Sequence, residues 1–237
     1  MKMLKFSLVA LGAAFALAAH AAPADADRAA TEAIVHDYLL AHPEIIPEAL
    51  HVLETRDLTK AINANRKALE TPFGAESDGN PNGDVTLVEF FDYNCGYCRA
   101  SLPDLKRLLA EDKNLRVVYR EIPVLGSDSD AAAIVSLAVA KQDKNWTRFH
   151  HAVYAADEAT AANVSKAQRL SGVVQPSTAA LKAPELREEI NRNLTLAQTL
   201  KVTGTPSWVV GDQMLSGAVG YDALKAAISQ ARAKAAH

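Results

Sequence analysis

The 237-residue sequence predicts an α/β fold with one helical insertion and a helical N-terminal extension. Two observations carry the prediction. The runs "VTLVEFF" (85–91) and "LRVVYREIP" (115–123) flank a single helical stretch, which makes a β-α-β unit. A long helical block, about 128–200, then separates that unit from two short strands and a closing helix. At 49% apolar and 22% charged residues, the chain has the composition of a globular protein with room for one domain and an appendage. Its formal net charge of -3 argues against a nucleic-acid partner.

The N-terminus carries Lys2 and Lys5, an apolar run from Phe6 to Ala19 and the small-residue pattern Ala19-His20-Ala21. Residues 1–21 therefore read as a signal peptide cleaved near Ala21, since the run is shorter than the roughly 18–20 residues that span a bilayer. An exported, periplasmic protein is the expectation. From 22 to 70 the apolar positions Ile34, Tyr38, Leu39, Ile46, Leu50, Leu53, Leu58, Ile62 and Leu69 recur at steps near three and four, so this arm is helical. Proline lacks the N–H that an interior helical turn needs. One helix should thus end near Ala41, and the next begin at Pro43 or Pro47, with a further kink in reach at Glu54 to Asp57. Residues 71–84, "TPFGAESDGNPNGD", concentrate turn formers and read as a linker between the arm and a catalytic domain at 85–237.

Within that domain the first run is nearly continuous in apolar character, as a strand buried on both faces requires. Helices follow at about 95–110, 131–142, 146–154, 165–170 and 184–200. "GTPSWVVGDQMLSG" (204–217) reads as two strands joined at Gly211-Asp212, and Tyr221 to Ala235 as an amphipathic helix.

Cys95 and Cys98 are the only cysteines, spaced C-x-x-C. A structural clip is a poor use of the pair, because so short a loop constrains the unfolded chain little. Structural zinc takes four ligands, and the chain offers neither a second C-x-x-C nor an H-x₃₋₅-H pair. Cu(I), which suits soft thiolates, is the stronger metal alternative at Cys95 and Cys98. For redox chemistry the placement is apt. A helix N-terminus stabilises a thiolate, which makes Cys95 the nucleophile, and Cys98 one turn on can resolve a mixed disulfide. Gly96 would permit a tight turn. Tyr97 brings an aromatic face and a hydroxyl but no positive charge, so a less acidic thiol is expected than a histidine there would give.

The strand order, the C-x-x-C directly after "EFFDYN", the helical insertion and Gly204-Thr205-Pro206 before a strand together resemble the DsbA-like thiol:disulfide oxidoreductases of the thioredoxin superfamily. The resemblance covers about 85–237. The CGYC centre and the arm's "YLLAHPEIIPEAL" resemble, within that group, the suppressor-of-copper-sensitivity C proteins. It implies a thioredoxin-like fold and an enzyme that forms or isomerises disulfides in cysteine-containing exported proteins. It implies no cofactor beyond the Cys95–Cys98 disulfide, and a membrane redox partner that recycles it. Glu89 would lie buried beneath the disulfide as a proton relay. Pro103 would kink the helix. Pro206 would be cis, with the Thr205 backbone beside it pairing with an extended substrate segment, while Gly96 and Tyr97 face the substrate. The arm, whose apolar stripe needs cover, would build a dimer or trimer.

Overall fold

The computed structural model describes residues 25–235, so the expected signal peptide lies outside the described residues. In chain order it contains α1 (Asp25–Ala41), α2 (Ile45–Glu70), β1 (Ser77–Gly79), β2 (Val85–Phe91), α3 (Gly96–Glu111), β3 (Leu115–Glu121), α4 (Ser127–Gln142), α5 (Trp146–Tyr154), α6 (Ala161–Ser171), α7 (Thr178–Leu181), α8 (Pro184–Thr199), β4 (Ser207–Val210), β5 (Gln213–Ser216) and α9 (Gly220–Ala235). Among the described residues no helix is long and apolar enough to cross a membrane.

One five-stranded sheet, in the order β1-β3-β2-β4-β5, organises the chain after the arm. β2 and β3 run parallel, from Val85 opposite Leu115 to Phe91 opposite Glu121. The other pairings are antiparallel. Successive side chains of a strand point to opposite faces, and here both faces are covered. Leu87, Phe91, Val117, Tyr119, Trp208 and Val210 share a core with Leu102, Leu105 and Leu108 of α3 and Leu224 and Ile228 of α9. Val88, Phe90, Val118 and Val209 face the other way, onto Ile62 and Leu69 of α2 and Leu196 and Leu200 of α8. Each fully buried apolar side chain of this kind contributes roughly 1.5–3 kcal/mol. The fold is thioredoxin-like with an all-helical insertion, as the sequence predicts.

Three expectations need correction. Residues 71–84 are not an open linker, for they hold β1, which pairs with β3 at Ser77 opposite Val118. The segment lies directly on α4. Gly74 has φ +57°, a Cβ there would stand 2.4 Å from the Ala140 carbonyl oxygen, and the Ala75 N–H donates to that same oxygen at 2.9 Å. The insertion thus falls between the third and fourth strands. Secondly, the chain divides into compact units between His51 and Val52, so only α1 and the first turns of α2 form a separate unit. Leu58, Ile62 and Leu69, read as part of the arm's stripe, belong to the core of the sheet. Thirdly, α2 runs without interruption through Glu54 to Asp57. It begins at Ile45, which puts Pro47 in the first turn, where no N–H is required.

A buried cation fixes the end of α2. Arg120 of β3 donates to the carbonyls of Ala68, Leu69 and Thr71, the last carbonyls of the helix, and pairs with Glu189 of α8 at 3.0 Å. The guanidinium answers carbonyls that have no intrahelical partner and sits at the negative end of the helix dipole. Glu189 also pairs with Arg192 on the surface side. Arg120→Met should lower stability by about 3 kcal/mol, because three carbonyls lose their donor and the buried Glu189 is left with Arg192 alone. A urea unfolding midpoint checks this, and a loss below about 1 kcal/mol would show that Arg192 alone is enough to hold the Glu189 charge.

Candidate active site

The parallel strands β2 and β3 both end at one edge of the sheet, and α3 begins there. Cys95 is the N-cap of α3, with φ -79° and ψ 112°, and its sulfur accepts the Cys98 N–H at 3.4 Å. Both sulfurs are free, so the site is the reduced dithiol. From the opposite side comes the start of β4. Its antiparallel register sets Ser207 opposite Phe90 and so brings the preceding Thr205-Pro206 to the end of β2. That peptide bond is cis, and the Cys95 thiol donates to the Thr205 carbonyl at 3.1 Å. Residues 110 apart in sequence thereby meet.

The two thiols are electrostatically unlike. Cys95, 5% exposed, has its pKa pulled down to about 5, first by a hydrogen bond from the Cys98 thiol and then, against the cost of burial, by the Thr205 side chain and the Cys98 and Tyr97 amides. The acidification therefore comes from hydrogen bonds rather than from a neighbouring cation. Cys98 moves the other way, raised by burial, by its bond to Cys95 and by the charge of Glu89.

Glu89 is 2% exposed and flanked in the sheet by the fully buried Tyr119 and Trp208. Burial, followed by the Cys95 charge, holds its carboxyl well above the usual range. Burial of this kind favours the protonated carboxyl over the carboxylate.

The remaining expected residues divide. Tyr97 is 70% exposed beside the dithiol, while Pro206 is buried and Thr205 partly so. Gly96 is exposed but not needed for a tight turn, since it lacks a left-handed backbone and an added Cβ would meet nothing within 4 Å. The space beside its Cα is open. Pro103 lies inside α3. Trp208 is core, its indole donating to Gly217 at 2.9 Å. Among the described residues no group of three or more His, Cys, Asp or Glu side chains is arranged to hold a metal.

Sequence reasoning passed over Asp92. Its buried side chain accepts from Asn94, Ser129, Val124 and Leu125, and its carbonyl accepts the Cys95 N–H at 3.0 Å. The only signal was an acid in the turn just after a strand, which reads as an ordinary turn residue.

Fold and site together define a thioredoxin-like oxidoreductase with a helix-capping dithiol opposite a cis-proline. Residues 86–229 match the DSBA-like thioredoxin domain, and the chain belongs to that family of thiol:disulfide oxidoreductases. Residues 27–57 match the copper resistance protein ScsC N-terminal domain. A linker-deletion variant of Proteus mirabilis ScsC is similar at 28% identity over 91% of this chain and 100% of that one, with a TM-score of 0.73. A thioredoxin-like oxidoreductase from Silicibacter pomeroyi is 40% identical, covering 71% and 98% of the two chains, with a TM-score of 0.65. The probable disulfide bond formation protein D of Bacillus anthracis is 28% identical over 65% of this chain and 77% of its own.

Two outcomes are expected from these pKa directions. Iodoacetamide alkylation of the reduced protein should show a pH midpoint near 5 for Cys95. Cys98→Ala, which deletes the strongest hydrogen bond to that sulfur, should raise the midpoint, and a wild-type value near the ordinary ~8.5 would refute the assignment. Folded Glu89 holds its proton to higher pH than the unfolded chain does, so unfolding releases that proton above about 4.5 and stability falls as pH climbs. Glu89→Gln removes that slope. Its gain in Tm should be small at pH 4 and grow toward pH 7, and a pH-independent difference would exclude the raised carboxyl.

Proposed function

We propose that Cys95 and Cys98 form the redox couple of an exported enzyme that forms or isomerises disulfides in cysteine-containing proteins. The observation that carries this reading is the opposite displacement of the two thiols at a helix N-terminus beside Thr205-Pro206. In oxidation, a substrate thiolate attacks the Cys95 sulfur of the Cys95–Cys98 disulfide. That bond breaks, a mixed disulfide forms, and Cys98 leaves as a thiolate that takes a proton from Glu89. A second substrate thiolate then attacks the substrate sulfur of the mixed disulfide, and Cys95 departs as the stabilised thiolate. The substrate has lost two electrons and the enzyme holds them as its dithiol. In isomerisation the Cys95 thiolate attacks a substrate disulfide, and the freed substrate thiolate re-forms a different one with no net electron transfer.

No further cofactor is required, since the disulfide is itself the two-electron group. A membrane redox partner would return the dithiol to the disulfide, and the cleaved leader would deliver the protein to the periplasm. Around the dithiol, Tyr97 and the backbone of Thr205 would receive an extended substrate segment, with open space at Gly96.

The arm supports a homo-oligomer. Ile34, Val35, Tyr38, Leu40, Ile46 and Leu50 are exposed large apolar residues on α1 and the start of α2, Ile34 at 70%, and a helix of this kind gains stability by covering such a stripe. A dimer or trimer would set several dithiols around shared space and raise their effective concentration toward a misbridged substrate. Similarity of residues 27–57 to an ScsC N-terminal domain, a copper resistance protein by its description, favours a second reading in which reduced Cys95 and Cys98 bind Cu(I).

Cys98→Ser should accumulate mixed disulfides with substrate, whereas Cys95→Ser should trap none; the reverse pattern would exchange their roles. Removal of residues 22–51, which spares Ile62 and Leu69, should give a monomer by light scattering that oxidises thiols but refolds scrambled ribonuclease poorly. Undiminished isomerase activity in that monomer would assign the arm another task. A Cu(I) competition titration against a weak chelator tests the second reading, which fails if the reduced protein takes no metal.

A further inference from the structure

Asp92 is the first residue beyond β2 and stands three before Cys95. It is 2% exposed, and its carboxyl group receives donors from three separate segments. Oδ1 accepts the Asn94 N–H at 2.8 Å and the Ser129 hydroxyl at 2.7 Å. Oδ2 accepts the N–H groups of Val124 at 2.8 Å and Leu125 at 3.0 Å. The Asp92 carbonyl accepts the N–H of Cys95 at 3.0 Å and the hydroxyl of Tyr154 at 3.1 Å. Asn94 extends the clamp, donating through Nδ2 to Ser129 Oγ at 3.0 Å and accepting the Ala159 N–H at 2.7 Å.

A buried acid is costly unless its oxygens are answered, and here they are answered without a cation. The donors explain why an acid belongs at this position. Val124 and Leu125 lie after β3 has ended and before α4 begins, so their N–H groups have no ladder or helix to join and are free to bond a side chain. Asp92 pairs both with one oxygen and ties the turn before Cys95 with the other.

We propose that Asp92 is a positioning residue for the thiol chemistry: by fastening the 92–95 turn to the 122–126 loop and the first turn of α4, it holds Cys95 at the cap of α3. This rests on Cys95 being the attacking thiol. The role has a sign that a mere charge would reverse. Removing a negative group near a thiolate lowers the thiol's pKa, whereas letting the turn drift from the Cys98 and Tyr97 amides raises it.

The test is the pH profile of iodoacetamide alkylation of full-length reduced Asp92→Asn and Ser129→Ala, with urea unfolding run alongside. Asp92→Asn keeps the shape but loses an acceptor, and should move the Cys95 midpoint upward by a unit or more, a tenfold loss of thiolate below the midpoint. Ser129→Ala deletes one clamp donor and no charge, and should give a threefold or larger shift of the same sign. Midpoints that stay at the wild-type value, or fall, in variants that fold would overturn the proposal. Where Asp92→Asn does not fold, Ser129→Ala decides alone by the same criterion. A wild-type profile with an ordinary thiol midpoint would instead overturn the Cys95 assignment and the proposal with it, whereas a wild-type midpoint near 5 with unshifted variants overturns only the role of Asp92.

Discussion

The parallel pairing of β2 with β3, covered on both faces, is the constraint from which the site follows. With α2 and α8 on one side and α3, α9 and the helical block on the other, neither strand has a wet face. A charged group buried on or just beyond them is costly unless the protein answers it. Three different answers appear within a few residues. Arg120 is answered by helix-terminal carbonyls and Glu189. Asp92, just past the strand, is answered by four donors. Glu89 has a protein interior around it and is answered by keeping its proton.

The same pairing decides where chemistry can occur. Parallel strands end on the same side, so the turns after Phe91 and after Glu121 meet there, and one of them starts α3. β4, running the opposite way, delivers its first residues to that edge. The meeting of Cys95 with Thr205 is thus a consequence of register, and any slip of β4 by one residue would move the whole strand to the wrong face.

Most of this was legible because the informative segments are locally consistent. "VTLVEFF" and "LRVVYRE" have no polar face to confuse them, the C-x-x-C stands at a strand-to-helix junction, and Thr205-Pro206 precedes a strand. The failures share one cause, which is that tertiary pairing overrode local composition. β1 is Ser-Asp-Gly, three poor strand formers that are extended only because β3 offers an edge. The apolar period of α2 does not break where the arm ends, because one helix serves two environments in turn, exposed at Leu50 and buried at Ile62. Asp92 was illegible because three of its four donors lie 32 to 37 residues away. Gly96 was read for its backbone, when what it supplies is empty space.

A charge on Cys95 raises the pKa of both Glu89 and Cys98, whereas the Cys98 thiol and the nearby amides lower that of Cys95, so a negative charge at this site falls to Cys95. On the proposed reading this orders the steps of the reaction. Once the Cys95 sulfur is bound in a mixed disulfide its charge is gone, and with it the smaller part of what raises Glu89 and Cys98, burial being the larger. Glu89 is then easier to ionise than before, and as a carboxylate it would be the base that draws the proton from Cys98. The resolving thiol is therefore restrained while Cys95 is free and released when Cys95 is engaged, without any movement of the chain. On the same reading, the low pKa that makes Cys95 a thiolate would also make it a good leaving group and a weaker nucleophile, and would favour oxidation of substrates by stabilising the reduced form.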